Sequence, residues 1–146
     1  MLQKLTWVNR QKACILLKLK VKVSPKPLGK PILISFWATW CKPCIKELIA
    51  YDDNYLDWQK KTGVKIIIIS IDDSKSVDRV APFVNGRGWE FESYLDENSV
   101  FKRAMNVINV PHTFVFDGSG KLVQQHTSYA VGDEEELYEL LIQMNE

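Results

Sequence analysis

Two apolar runs with an amphipathic stretch between them constrain the fold of this chain more than any other feature. Residues 32–38 (ILISFWA) are apolar at nearly every position, and residues 64–71 (VKIIIISI) repeat that character. A strand covered on one face alternates in polarity and one covered on both faces does not, so each run predicts a central strand. The helix expected from Cys44 carries Ile45, Leu48, Ile49, Tyr55 and Leu56 on one side. Lys46, Asp53, Gln59, Lys60 and Lys61 fall mostly outside, and Gly63 stops the helix near Thr62. Strand, helix and strand in that order predict a right-handed parallel crossover.

The junction between the first strand and the helix reads Trp40-Cys41-Lys42-Pro43-Cys44. Two cysteines at this spacing on a helix start can close a small disulfide ring with little backbone movement. The first-turn N–H groups lack intrahelical partners, and a helix N-terminus carries about half a positive charge. Both effects favour a thiolate on Cys41, the expected nucleophile. Cys44 lies one turn deeper and is the expected resolving thiol. Pro43 fits the first turn, where a proline forfeits no intrahelical hydrogen bond. The competing uses of such a pair are core packing and half of a zinc site. For zinc, Cys14, His112 and His126 supply no second ligand pair.

The remaining elements follow from local pattern. Residues 15–23 (ILLKLKVKV) alternate in period two, as a half-buried strand with a lysine face does. Residues 24–31, with Pro25, Pro27, Gly29 and Pro31, form a turn-rich connector. Residues 1–27 are therefore read as N-terminal strand or strands plus connector, and residues 28–146 as the main domain. Asp72, Asp73 and Ser74 are expected caps or loop residues before a helical stripe of Val77, Val80, Ala81 and Val84, which Pro82 should kink or shorten. Residues 91–95 suit a short strand, and Asp96 should cap a brief helix carrying Val100, Phe101, Ala104 and Met105. Residues 113–116 and 122–126 flank Asp117-Gly118-Ser119-Gly120, a strong hairpin signal. His126 is expected on a solvated strand face. A last helix starts at Asp133 with Glu134, Glu135 and Glu136 in its first turn, and buries Leu137, Leu140, Leu141 and Met144.

Composition narrows the function classes. The 146 residues suit one domain, and 46% hydrophobic with 25% charged residues reads as globular. A net charge of +1 supplies no field for nucleic acid or acidic lipid. No apolar stretch is long enough to span a bilayer. No signal peptide is expected at the N-terminus, where Lys12, Lys18 and Lys20 would interrupt its apolar core. Three cysteines make no disulfide scaffold, and Cys14, beside Ala13, Ile15 and Leu16, reads as a small buried hydrophobe.

Taken together, Gly29-Lys30-Pro31, the run from Phe36 to Cys44, Glu47, Val110-Pro111-His112-Thr113-Phe114 and Gly120-Lys121 resemble the thioredoxin superfamily. The likeness is specifically to its TlpA/ResA-like thiol–disulfide oxidoreductases, over about residues 28–145. It implies an α/β thioredoxin fold, a central mixed β-sheet flanked by helices on both faces, here with an added N-terminal strand or hairpin. Pro111 would be a cis-proline lying against the disulfide, and Val110 would offer backbone groups to a bound peptide in strand-like pairing. Trp40 would supply an apolar platform beside the cysteines.

The same resemblance implies reduction of disulfide-containing protein substrates through a mixed disulfide, with neither metal nor organic cofactor. Electrons would come from a membrane-bound thiol donor. The setting implied is the bacterial cell envelope, periplasmic or membrane-associated, in cytochrome c maturation or general thiol reduction. A monomer is expected. Two departures stand out. His112 follows the proline where relatives carry a small residue, and its protonation should favour the Cys41 thiolate if the ring sits close. Ser35 stands where cytoplasmic thioredoxin has a buried aspartate, which leaves Glu47 as the expected acceptor of the Cys44 proton. A thiol peroxidase and a redox-inert binding module of the same fold are the alternative readings.

Overall fold

The computed structural model describes residues 29–145. The alternating segment 15–23, Cys14 and the rest of the expected N-terminal strands and connector lie outside the described residues. The first apolar run forms β1 (Ile32–Trp37) and the second forms β2 (Lys65–Ser70), joined by the 21-residue helix α1 (Lys42–Thr62). β1 and β2 are parallel, in a register that sets Ser35 beside Ile68. Beyond β2 come α2 (Val80–Gly86), β3 (Glu92–Leu95), α3 (Val100–Ala104), β4 (His112–Phe116), β5 (Leu122–Thr127) and α4 (Asp133–Met144). The five strands lie in the order β3-β2-β1-β4-β5, with β3 parallel to β2 and both β4 and β5 running antiparallel to their neighbours. This is the mixed sheet of a thioredoxin-like fold.

Both faces of the sheet are covered at β1 and β2, which is why these strands are apolar at most positions. One core gathers Leu33, Trp37, Ile66, Ile68 and Val115 from the strands against Leu48, Tyr51, Tyr55 and Trp58 of α1 and Leu137 and Leu141 of α4. The other sets Ile34, Phe36, Ile67, Ile69 and Phe114 against Phe101 of α3. Full burial of one such side chain contributes about 1.5–3 kcal/mol before the entropy of ordering it is charged.

The structure corrects two expectations. The buried stripe of α1 is Cys44, Glu47, Leu48, Tyr51, Tyr55, Trp58 and Thr62, whereas Ile49 and Leu56 face solvent. Aromatic residues hold the helical period over the core, and a glutamate shares their face. Pro82 does not kink a helix interior. The segment begins as a 3-10 turn at Val77–Arg79, and α2 starts only at Val80, so Pro82 stands in its first turn where the missing N–H costs nothing. Asp96 caps α3 as expected, accepting the Phe101 and Lys102 N–H groups at 3.0 and 2.7 Å.

Gly63 ends α1 in the left-handed region, φ 70°, where its N–H reaches the Gln59 carbonyl at 2.8 Å. A Cβ there would stand 2.5 Å from Cδ of Lys30, the middle of a flexible chain that can move aside. The cost of Gly63→Ala therefore comes from the backbone, and the substitution is expected to lower stability by about 1–2 kcal/mol in urea unfolding. Lys30→Ala in the same chain should not restore it; recovery of most of the loss would place the cost in the side-chain clash instead.

Candidate active site

Cys41 is the N-cap of α1, and its extended backbone (φ −98°, ψ 100°) turns the chain from strand into helix. Its Sγ accepts the backbone N–H of Cys44 at 3.3 Å, one of the helix's orphan donors. Cys41 and Cys44 are joined as a disulfide, with their Cα atoms 5.3 Å apart. The two sulfurs differ in surroundings: Cys41 retains 5% exposure, whereas Cys44 has none. Beside them Trp40 stands 60% exposed. The Val110–Pro111 peptide bond is cis, and the Val110 carbonyl oxygen lies 3.8 Å from Cys41 Sγ.

The turn that delivers Cys41 is held from the next strand. Asp72, just past β2 and fully buried, accepts the Thr39 N–H at 2.9 Å and the Thr39 hydroxyl at 2.6 Å. The Ser70 hydroxyl donates to the same carboxylate at 2.6 Å. Asp72 was expected as a cap or loop residue, and it is instead the tie between β2 and the turn carrying Trp40. Asp73 keeps the local role, accepting the Lys75 N–H at 2.9 Å.

Beneath the cysteines the strand registers line up one polar row. Ser35 on β1 pairs with Thr113 on β4, which pairs with His126 on β5. All three reach Glu47 of α1, which has no solvent exposure. Ser35 Oγ donates to Oε1 at 3.0 Å, Thr113 Oγ1 donates to the same oxygen at 2.7 Å, and His126 Nε2 lies 3.3 Å from Oε2. Two tyrosines border the cluster. Burial, and then the nearby Glu47 carboxylate, push the Tyr51 hydroxyl well above its ordinary range. Burial, with a hydrogen bond to Glu134, also raises Tyr129 well above it. Both hydroxyls therefore stay protonated at any physiological pH.

Among the residues singled out from sequence, the structure brings Trp40, Cys41, Cys44, Val110 and Pro111 to one end of the sheet. Glu47 lies one helical turn beyond Cys44. His112 shares a face of β4 with Phe114, the face opposite Thr113 and Glu47. Its ring stacks on Phe114 at 4.3 Å, and Nε2 meets Gln125 Oε1 at 3.0 Å. Its Nδ1 is buried without a hydrogen-bond partner. Sequence reasoning missed Asp72, Thr113 and His126. A polar residue inside the buried pattern of β4 could have signalled Thr113, and β5, largely exposed and polar, offered no such signal for His126.

A dithiol at a helix start, a cis-proline loop against it and a mixed sheet behind it define the thioredoxin-like class. The chain belongs to the AhpC/TSA family, whose profile matches residues 18–125. It is 35% identical to the thiol-disulfide oxidoreductase ResA of Bacillus thuringiensis (strain Al Hakam) over 105 residues, 71% of this chain and 59% of that protein. The chain thus spans well under two thirds of the length of that curated relative. The solution structure of an uncharacterized thioredoxin-like protein from Porphyromonas gingivalis shares 49% identity with it at a TM-score of 0.71, over 80% of this chain and 76% of that one. A putative thiol:disulfide interchange protein DsbE from Chlorobium tepidum matches at a TM-score of 0.72 over 82% of each chain, with 23% identity, a likeness of fold alone.

The Asp72 tie is testable by itself. Asp72→Ala strands two hydroxyls and one backbone N–H, and is expected to cost about 2–3 kcal/mol in denaturant unfolding. A loss below roughly 0.5 kcal/mol, the size of an ordinary surface substitution, would mean that the turn holds itself.

Proposed function

We propose that this protein is a thiol–disulfide oxidoreductase that reduces protein disulfides through Cys41 and Cys44. The observation that carries the reading is the Cys41–Cys44 disulfide at the N-terminus of α1, its outer sulfur beside the cis-Pro111 loop. In the reduced protein, the Cys41 thiolate attacks one sulfur of a substrate disulfide. A Cys41–substrate disulfide forms, and the first substrate sulfur leaves with the electron pair. The Cys44 thiolate then attacks Cys41 Sγ, closes the ring and expels the second substrate sulfur. Two electrons pass from the dithiol to the substrate, and no metal or organic cofactor enters the balance.

The N–H of Cys44, already directed at Cys41 Sγ, supports the Cys41 thiolate, as do the other orphan donors of the first turn. Trp40 and the Val110 backbone are the surfaces offered to an extended peptide. Glu47 takes the Cys44 proton during resolution. His112 acts on Cys41 only through the Pro111 loop it follows, so His112→Thr should leave the alkylation rate of Cys41 within about twofold. Re-reduction falls to a membrane-bound thiol donor, and the bacterial cell envelope, with cytochrome c maturation as one setting, is the compartment we assign. The printed names of the curated relatives support the thiol–disulfide chemistry on which that assignment rests. Among the described residues, no helix is long and apolar enough to cross a membrane. The chain acts as a monomer.

Cysteine variants test the roles. Cys44→Ser should accumulate mixed disulfides with a disulfide-bonded test protein, and Cys41→Ser should accumulate none. In the reduced wild type, Cys41 should be alkylated at least about tenfold faster than Cys44 near neutral pH. Equal rates would remove the assignment. Turnover of a peroxide, with no reduction of the protein disulfide, would favour the peroxidase reading, and inertness toward both would favour a binding module.

A further inference from the structure

The polar row beneath the cysteines poses a problem that Glu47 cannot solve alone. A carboxylate with no exposure can accept a proton from Cys44, but while it keeps that proton it can hand it back to Cys44 and let resolution run in reverse. Ser35 and Thr113, which hold Oε1, are hydroxyls that do not titrate in water's range. His126, at Oε2, is a group whose ordinary pKa lies near neutrality, and its side chain is 22% exposed while that of Glu47 is 0%. It stands on β5, the outermost strand on that side among the described residues, so one part of the ring meets a buried carboxylate and another part is exposed.

We propose that His126 is the proton port of the site, the positioning residue through which Glu47 exchanges with solvent the proton that Cys44 gives up. The inference rests on the dithiol reading above and adds a residue to it. In resolution Cys44 loses its proton to the Glu47–His126 pair, and its sulfur attacks Cys41 Sγ. The Cys41–Cys44 bond forms, the bond from Cys41 to the substrate sulfur breaks, and the electron pair leaves on that sulfur. The pair now holds one added proton. Carboxylic acid beside neutral imidazole and carboxylate beside imidazolium are two forms of the same protonated pair, and the second presents an exchangeable N–H to water. Release of that proton resets the carboxylate.

The other ionisable groups around the pair do not offer the same route. Tyr51 on α1 and Tyr129 after β5 hold their protons too tightly to exchange them near neutrality. Asp133 and Glu134 at the start of α4 face the tyrosines, and Glu134 Oε2 is occupied by the Tyr129 hydroxyl and the Gly132 N–H. Sheet register fixes His126 opposite Thr113, so the histidine is set in place by the same ladder that places the carboxylate's other donors.

The test uses the full-length, reduced protein, with Cys14→Ser in every variant so that this third thiol adds no release, mixed rapidly with a nitroaromatic disulfide. One coloured thiolate is released when Cys41 attacks and a second when Cys44 resolves, so the two steps are read separately. His126→Gln keeps a hydrogen-bond donor toward Glu47 but cannot titrate. It is expected to leave the first release unchanged and to slow the second about tenfold at neutral pH, less than the roughly 10²–10⁴-fold of a group that transfers the proton directly. The pH profile of the second release, taken from about pH 6 to 9, should change shape relative to the wild type, which loss of a merely structural contact would not cause. In a Glu47→Gln background His126→Gln should add nothing further, because it acts through that carboxylate. Added imidazole should accelerate the second release of His126→Ala in proportion to its concentration. If His126→Ala does not fold, the His126→Gln profile alone decides. An unchanged second release, equal slowing of both releases, or an undiminished effect in the Glu47→Gln background would overturn the proposal. Failure of the dithiol reading looks different, because Cys41→Ser would then still release one thiolate at the wild-type rate of the first release.

Discussion

A carboxylate buried completely under an active-site helix must be met by donors, and that requirement orders much of this molecule. Glu47 projects from the core face of α1 toward the sheet, where leaving it unpaired would cost several kcal/mol. The fold meets it with a single row across three strands: Ser35, Thr113 and His126. The row exists only if β4 pairs with β1 and β5 in the observed registers. A one-residue slip of β4 or β5 would turn that strand's member of the row, Thr113 or His126, to the opposite face and put another group against the charge. The carboxylate therefore acts as a register lock as well as a candidate proton acceptor.

A second buried carboxylate does a related job at the end of the sheet. Asp72 ties the turn at Thr39 to the end of β2 through three hydrogen bonds, and this turn sets where Cys41 enters the helix. Cys41 then caps the helix with its own sulfur. The helix end, the turn and the cis-proline loop meet at one point because β1 and β4 are adjacent and antiparallel. Neither the thiol nor the proline loop is placed by its own neighbours in sequence. Both are placed by the central strands, which are buried on both faces.

That division explains how much was legible beforehand. The central strands, the crossover helix, the hairpin at Asp117 and the dithiol could be read because each is a local pattern: apolar runs, a helical period, turn residues, a CxxC at a helix start. The α1 face was read too narrowly. Counting aliphatic residues selected Ile49 and Leu56, which face solvent, over Tyr51 and Trp58, which complete the buried period. The polar row could not be read, because it depends on which residue of β4 lies opposite which residue of β1 and β5. His126 looked like a solvated strand residue for the same reason: β5 is largely exposed, and only its partner across the ladder reveals where the ring goes. Asp72 was hidden by a plausible local role as a cap.

The chemistry at the two cysteines follows from an asymmetry within one turn of helix. Cys41 receives the N–H of Cys44 and the field of the helix start, both of which favour its thiolate. Cys44 lies a turn deeper, away from water, where burial disfavours charge. A second negative group nearby would make its thiolate harder still to form, so Glu47 helps only if it ends the step with less charge than it began. A lone buried carboxylate would do this by keeping the proton beside Cys44, which leaves the step free to run backward. A carboxylate coupled to an imidazole that reaches water does it by sharing the proton with a group that can lose it. In the mechanism proposed above, the pairing of Glu47 with His126 reconciles a base buried one helical turn from Cys44 with exchange of its proton with water.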